Sequence, residues 1–156
     1  MLFQLKSRFR LINRTVGTSR VDTLLTQSII NDMRKGTIDL SNLDYPPERH
    51  EFETAKFFAD MGKDIVFLKP STIKGEHTPD ILMDGFEWEI KCPQGNSKRT
   101  IENNFRNAVA QSRYIIFDLR RIRLHDNLCT EKLEREFKAR KYLKRLLIIK
   151  ERRNAN

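Results

Sequence analysis

One short stretch of this 156-residue chain places two acidic side chains and a lysine at strand-like spacing. Asp84-Gly85 lies between two apolar-rich runs and predicts a β-hairpin, because a two-residue type I′ turn needs positive φ at both central positions. This register puts Asp80 directly opposite Glu89, and Lys91 lies two residues further along the same face. Like charges on opposed residues destabilise a hairpin, so the pair predicts a divalent cation as its partner.

The chemistry expected of these residues is phosphoryl transfer. Mg²⁺, or another divalent cation such as Mn²⁺, takes carboxylate oxygens while keeping several waters. Such an ion makes a bound water a better nucleophile and stabilises charge on a transferring phosphoryl group. Lys91 could help to deprotonate that water or stabilise the transition state. The alternative is that Glu89 and Lys91 are ordinary charges on the solvent face of an amphipathic hairpin.

The other face of the hairpin is apolar and is predicted to pack on the core. Its residues are Ile81, Met83, Phe86, Trp88 and Ile90. Alternation of the two faces along both strands is typical of a half-buried antiparallel pair. The hairpin is therefore expected to hold the acidic pair on one side of a sheet and core residues on the other.

A helix that could contribute a third acidic residue is predicted from Arg49 to Met61, ending at Gly62. Its apolar arc consists of Phe52, Ala55, Phe58 and Ala59. Glu51 falls inside this arc, and a carboxylate on a core-facing stripe needs a partner or a cation. Glu51 is the preferred candidate and Glu53, which points away, is the fallback. Alternatively, Glu51 only stabilises the helix N-terminus.

The remaining periodicity predicts an α/β fold with a mixed central β-sheet flanked by helices. Strands are expected over 64–68, 113–119 and 146–150, and helices over 100–112 and 130–142. From residue 49 onward the order is α-β-β-β-α-β followed by one α-β unit, which indicates that class. Residues 1–48 are expected to be a basic arm, a helix over 21–33 and a connector. Residues 49–156 are expected to form the domain proper.

This element order resembles the PD-(D/E)xK nuclease superfamily over residues 49–119. The resemblance includes Pro79-Asp80 on the second strand and Glu89-Ile90-Lys91 on the third. The resemblance implies that Asp80 and Glu89 hold Mg²⁺ and that Lys91 assists the attacking water. A helical glutamate often completes such sites, which implies that role for Glu51. Gln111 lies where many members carry a glutamine that supports the site or contacts substrate.

Within that superfamily, the small size, the basic second half and the run Glu-Ile-Lys-Cys-Pro look most like the C-terminal tRNA-nuclease toxin domains of contact-dependent growth inhibition (CdiA-type) proteins. This resemblance implies a metal-dependent endonuclease that cleaves tRNA in preference to DNA. It also implies a dedicated immunity protein as partner. Action in the cytoplasm, after secretion or delivery as a toxin domain, would follow.

The charge distribution independently predicts a polyanionic partner. The chain carries a formal net charge of +9, and residues 98–156 hold 17 Lys and Arg against 7 Asp and Glu. Such an excess is the electrostatic footprint of nucleic acid binding, although a solvated surface would also show it. Lys98 and Arg99 are candidate phosphate contacts, and His77 is a candidate substrate contact or proton donor. No apolar run approaches the length of a transmembrane helix.

Three alternatives to a tRNA nuclease are compatible with the sequence. The first is a DNA endonuclease of the same superfamily. The second is a basic nucleic-acid-binding module without catalysis, in which the hairpin charges are dispensable. The third is a regulatory protein whose nuclease-like fold provides an interaction surface, with Phe105, Tyr114 and the cluster Arg120-Arg121-x-Arg123 as contacts. The two cysteines, Cys92 and Cys129, have no metal-ligand spacing and are expected to be buried or half-buried thiols.

Overall fold

The described part of the chain is built around a seven-stranded mixed sheet. The computed structural model describes residues 7–13, 35–97 and 99–151. The strands are β1 (Ser7–Asn13), β2 (Ile38–Asp39), β3 (Ile65–Phe67), β4 (Ile81–Met83), β5 (Phe86–Lys91), β6 (Tyr114–Asp118) and β7 (Arg145–Glu151). The α-helices in this part of the chain are α1 (Arg49–Asp60), α2 (Thr100–Val109) and α3 (Asp126–Ala139). The predicted α/β class with a mixed sheet is confirmed.

The strand order is β1-β7-β6-β5-β4-β3-β2. Strands β5, β6 and β7 run parallel to one another, whereas β4 is antiparallel to both β3 and β5. Strand β5, which carries two of the candidate residues, therefore lies in the interior of the sheet with a partner on each side. None of the described helices is long and apolar enough to cross a membrane.

The β4–β5 hairpin has the register that the turn sequence predicts. Met83 pairs with Phe86, and the ladder continues through Leu82 to the pair of Ile81 with Trp88. Asp84 and Gly85 have φ values of 54° and 77°, as a type I′ turn requires. The turn residues therefore fix which side chains share a face.

Each face of the sheet is covered by helices over its own hydrophobic core. On one face, α1 packs against the hairpin through a cluster that includes Ala55, Phe58, Ile81, Met83, Trp88 and Ile90. On the other face, α2 and α3 pack against β6 and β7 through residues that include Phe105, Phe117, Leu133 and Ile148. Strand β6 contributes to both cores because successive side chains alternate, with Ile116 on the α1 side. The apolar hairpin face is thus buried as predicted.

The segment before residue 49 contributes two strands to this sheet. Residues 7–13, expected to belong to a basic arm, instead form β1, which pairs antiparallel with β7 along its whole length. Two residues of the expected connector form β2, parallel to β3. The arm prediction was wrong because the partner of β1 is distant in sequence, so no local pattern marks the strand. The helix expected over 21–33 lies outside the described residues.

Two details of the helices differ from the prediction. Helix α3 begins at Asp126 rather than Thr130, because His125 Nδ1 accepts a hydrogen bond from the Asn127 amide at 3.3 Å and caps the helix. In α1, Phe52 was expected on the apolar arc but is 37% exposed, whereas Phe57 is only 6% exposed. The buried stripe of α1 is therefore rotated slightly from the expected one.

Candidate active site

Glu89 is a buried carboxylate at the centre of the sheet. The residue is 1% exposed, because β4 and β6 flank its strand on both sides. Its Oε1 accepts a hydrogen bond from Lys91 Nζ, and its Oε2 is buried without a hydrogen-bond partner in the part of the chain that the structure describes. An unsatisfied buried oxygen is costly, so this atom indicates that the site takes a proton or a cation. The interpretation of Glu89 as an ordinary solvent-facing charge is wrong.

Asp80 immediately precedes β4 and is held in place through its backbone and its carboxylate. Its amide donates to the Trp88 carbonyl at 3.0 Å, and its own carbonyl accepts from the Leu68 amide at 2.9 Å. Its Oδ2 accepts from the Ile90 amide at 2.6 Å. The expected backbone pairing of Asp80 with Glu89 does not occur, because the ladder ends at Ile81. The charge of Asp80 nevertheless acts on Glu89, whose pKa it raises.

The surroundings of this pair disfavour two ionised carboxylates. Burial, followed by the charge of Asp80, raises the pKa of Glu89 to about 7, although Lys91 acts in the opposite direction. Burial also raises the pKa of Asp80, against the Ile90 amide and Lys91, which lower it. A single ammonium group therefore faces more negative charge than it can neutralise. A bound proton or a divalent cation would relieve this excess.

Glu51 is the third carboxylate of the site. It lies in the first turn of α1, where burial and then the charge of Asp80 raise its pKa to about 7, while Lys91 opposes the rise. Glu53 instead accepts a hydrogen bond from Arg49 Nε at 2.9 Å, and its side chain is 50% exposed. The structure thus brings Glu51, and not Glu53, to the hairpin carboxylates.

A buried polar cluster fixes α1 to the ends of β5 and β6. Thr54 Oγ1 donates to Asp118 Oδ2 at 2.8 Å, and Asp118 also accepts from Arg120 Nε at 2.9 Å. Cys92 Sγ lies 3.3 Å from Thr54 Oγ1, and burial raises the pKa of this thiol to about 12. Thr54 is one turn from Glu51 on α1, so the cluster orients the helix that carries Glu51. This cluster is not evident from the sequence, where its signals are a threonine on the buried stripe of α1 and an aspartate at the end of a buried strand.

The other candidate residues lie around the site rather than in it. His77 and Arg99 are exposed, and Gln111 lines an open groove of about 480 Å³ that also contacts Pro79. Lys98 lies outside the described residues. Phe105, considered as an interaction contact, is 0% exposed in the α2 core and cannot form a surface.

The fold and site define an α/β domain with acidic groups and a lysine gathered at its central hairpin. Residues 76–155 match the family described as "Contact-dependent growth inhibition CdiA C-terminal domain". The chain belongs to this family and is a toxin domain. The matched residues contain Asp80, Glu89 and Lys91, whereas Glu51 precedes them.

Among solved structures, the chain is similar to the "CdiA-CT/CdiI toxin and immunity complex from Burkholderia pseudomallei". The sequence identity is 19%, the match covers 64% of this chain and 83% of that chain, and the TM-score is 0.48. No curated protein matches this chain.

Proposed function

We propose that this toxin domain is a divalent-cation-dependent endonuclease that hydrolyses phosphodiester bonds in nucleic acid, with tRNA favoured over DNA. The observation that carries the proposal is the buried Glu89 carboxylate, which accepts a hydrogen bond from Lys91 through Oε1 and has no partner among the described residues for Oε2. A buried ionisable cluster with raised pKa values is typical of a functional site. The same residues carry the resemblance to the PD-(D/E)xK superfamily.

The donor set of the hairpin fits a hard divalent cation. Asp80 and Glu89 would hold it, since both supply carboxylate oxygens and Oε2 of Glu89 has no hydrogen-bond partner among the described residues. The described residues contain no group of three or more His, Cys, Asp and Glu side chains placed to hold a metal. Two carboxylates suffice for Mg²⁺, because this ion usually retains several waters. When bound, it would supply electrostatic stabilisation of the phosphoryl group.

The chain's own residues supply the remaining chemistry. Lys91 presents an ammonium group at the carboxylates, where it stabilises negative charge on the phosphate or assists deprotonation of the attacking water. Glu51, with a pKa of about 7, is partly ionised near neutral pH and is suited to accept a proton. Fixing α1 through Thr54 and Asp118 keeps that carboxylate at the site.

The proposed substrate rests on charge and resemblance. The basic excess of residues 98–156 suits any nucleic acid, and the preference for tRNA follows from the resemblance to CdiA-type nuclease toxins. DNA is the second candidate. An immunity protein as partner and action in the cytoplasm of a target cell belong to the same proposal.

The test is cleavage of total tRNA and of plasmid DNA by the purified protein, in Mg²⁺ and in EDTA. Asp80→Ala and Lys91→Ala are each expected to lower cleavage by at least about 100-fold. Glu87→Gln, an exposed position on the same strand, is the matched control and is expected to cleave normally.

Loss of cleavage in EDTA and in both site variants would support the nuclease. Cleavage that survives either substitution would contradict the assigned roles. Absence of cleavage, together with salt-sensitive binding that tolerates both substitutions, would identify a non-catalytic binding module instead.

A further inference from the structure

A cavity of about 340 Å³ opens directly beside the carboxylates. Its lining includes Glu51 and Asp80 from the site, together with residues of the segment after β2 and the loop after β3. A molecule in this cavity would touch the same two carboxylates that the proposed reaction uses. The cavity is therefore continuous with the candidate active site.

Part of the cavity wall is apolar, and an exposed tyrosine belongs to the lining. Pro46, Pro47, Pro70 and Phe67 contribute to the lining. Tyr45 also lines the cavity and is 83% exposed, the largest exposed fraction among the exposed large hydrophobic residues of the described chain. A tyrosine left this open in a cavity lining offers a flat face for a planar ligand.

The charge of the lining selects against a phosphate as the occupant. Among the described residues of the lining, Asp44, Glu51 and Asp80 are acidic, and Lys69 is the one cationic residue. Lys69 Nζ is already 2.9 Å from Asp44 Oδ2. A neutral planar group fits this environment better than an anion does.

We propose that this cavity binds one unpaired nucleobase of the substrate, next to the bond that is cut, with Tyr45 stacking on the base. The inference rests on the proposed nuclease function and specifies its substrate. A base can enter a concave site and stack on an aromatic ring only when it is free of its own duplex. The substrate is accordingly a single-stranded segment, loop or end rather than a continuous duplex.

The loop that closes one side of the cavity is internally bonded, so the cavity is formed before substrate arrives. The Ser71 amide donates to Thr78 Oγ1 at 3.0 Å, and Ser71 Oγ donates to Glu76 Oε2 at 2.9 Å. These bonds span the loop between β3 and Asp80. Binding of a base into such a site costs little ordering of the protein.

The experiment measures binding without cleavage. The probe is a fluorescein-labelled single-stranded RNA of about 12 nucleotides, alone or annealed to its complement, and anisotropy gives the Kd in Mg²⁺. Glu89→Gln serves as the non-cleaving background. One further substitution at a time is made in this background: Tyr45→Ala, Tyr45→Phe or, as a matched control, Tyr142→Ala. Tyr142 is 46% exposed and lines the separate groove near Gln111.

Tyr45→Ala is expected to raise the Kd for the single strand by roughly 5- to 100-fold, as loss of one stacked base predicts. Tyr45→Phe, which keeps the ring, is expected to bind like the background, and Tyr142→Ala is expected to do the same. The duplex is expected to bind more weakly and to be insensitive to Tyr45.

The inference would be overturned if Tyr45→Ala leaves the Kd unchanged or if Tyr142→Ala loses more affinity than Tyr45→Ala does. It would also be overturned if Tyr45→Ala loses the same affinity for the single strand and for the duplex. If the wild-type protein cuts nucleic acid, and Tyr45→Ala leaves the Kd unchanged in the Glu89→Gln background and leaves cleavage unchanged in the wild-type background, only the base site fails. If no variant and no wild-type sample binds or cuts nucleic acid, the proposed function fails as well.

Discussion

Replacing Glu89 with glutamine should make the cation-free protein more stable at alkaline pH. The folded protein holds the pKa of Glu89 at about 7, against an ordinary value of 4.5. A carboxyl group with a raised pKa contributes full stability only below its unfolded-state pKa, and that stability is lost as the pH rises through the folded-state pKa. Glutamine keeps the shape and an acceptor for Lys91 but never ionises.

The size of the expected stability gain follows from the pKa shift of Glu89. Each pKa unit corresponds to 1.36 kcal/mol, so ionising Glu89 in the folded protein costs about 3 kcal/mol at pH 8. At pH 5 most of the folded protein still carries the proton, and the cost is below about 1 kcal/mol. Glu89→Gln should therefore gain about 3 kcal/mol in free energy of unfolding at pH 8 and far less at pH 5, while losing nuclease activity.

The assay is urea-induced unfolding in EDTA at the two pH values, for wild type, Glu89→Gln and the exposed control Glu87→Gln. The control should change little at either pH. A variant that is less stable than wild type at pH 8 would refute the reasoning, because Glu89 would then stabilise the fold as an ion. A gain of equal size at both pH values would also refute it, since the effect would not come from ionisation.

Two other predictions concern the cation and the anchoring of α1. Millimolar Mg²⁺ at pH 8 should raise the thermal unfolding midpoint of the wild-type protein, because the ion binds the folded state. The midpoint of Glu89→Gln should not change. An equal rise in both proteins would mean that the ion binds elsewhere. Asp118→Asn should lower the free energy of unfolding by roughly 3 kcal/mol, because Arg120 loses its buried partner. The exposed control Asp60→Asn should change it by less than about 0.5 kcal/mol, and similar effects of the two substitutions in urea titrations would contradict a structural role for Asp118.

The local part of the site could be predicted from the sequence. Asp84-Gly85 specifies the turn through the positive φ values that it needs, and the turn then fixes the positions of Glu89 and Lys91 on β5. Asp80, expected directly opposite Glu89, lies one residue beyond the end of the ladder. The position of Glu51 on the helical arc likewise follows from a period of 3.6 residues. Patterns of this kind depend on neighbours in the chain.

The parts of the fold and the site that are not evident from the sequence depend on contacts between residues that are distant in the chain. Strand β1 has no distinctive alternation, and its place in the sheet comes from pairing with β7. The depth of Glu89 depends on β6 lying beside β5, which shields the carboxylate from water. The contact between Thr54 and Asp118 joins residues 64 positions apart. Spacing and composition do not report contacts of this range.

The pairing of β1 with β7 has a mechanical consequence. Ser7 lies opposite Glu151, and Asn13 lies opposite Arg145, so the chain enters β1 and leaves β7 at the same end of the sheet. Tension applied through the segments before Ser7 and after Glu151 would break the hydrogen bonds between β1 and β7 one after another, starting at that end. It would not load all of these bonds at once in shear. The domain should therefore yield to small forces at its ends, and the peeling would strip an edge strand before it reached the strand that carries Glu89.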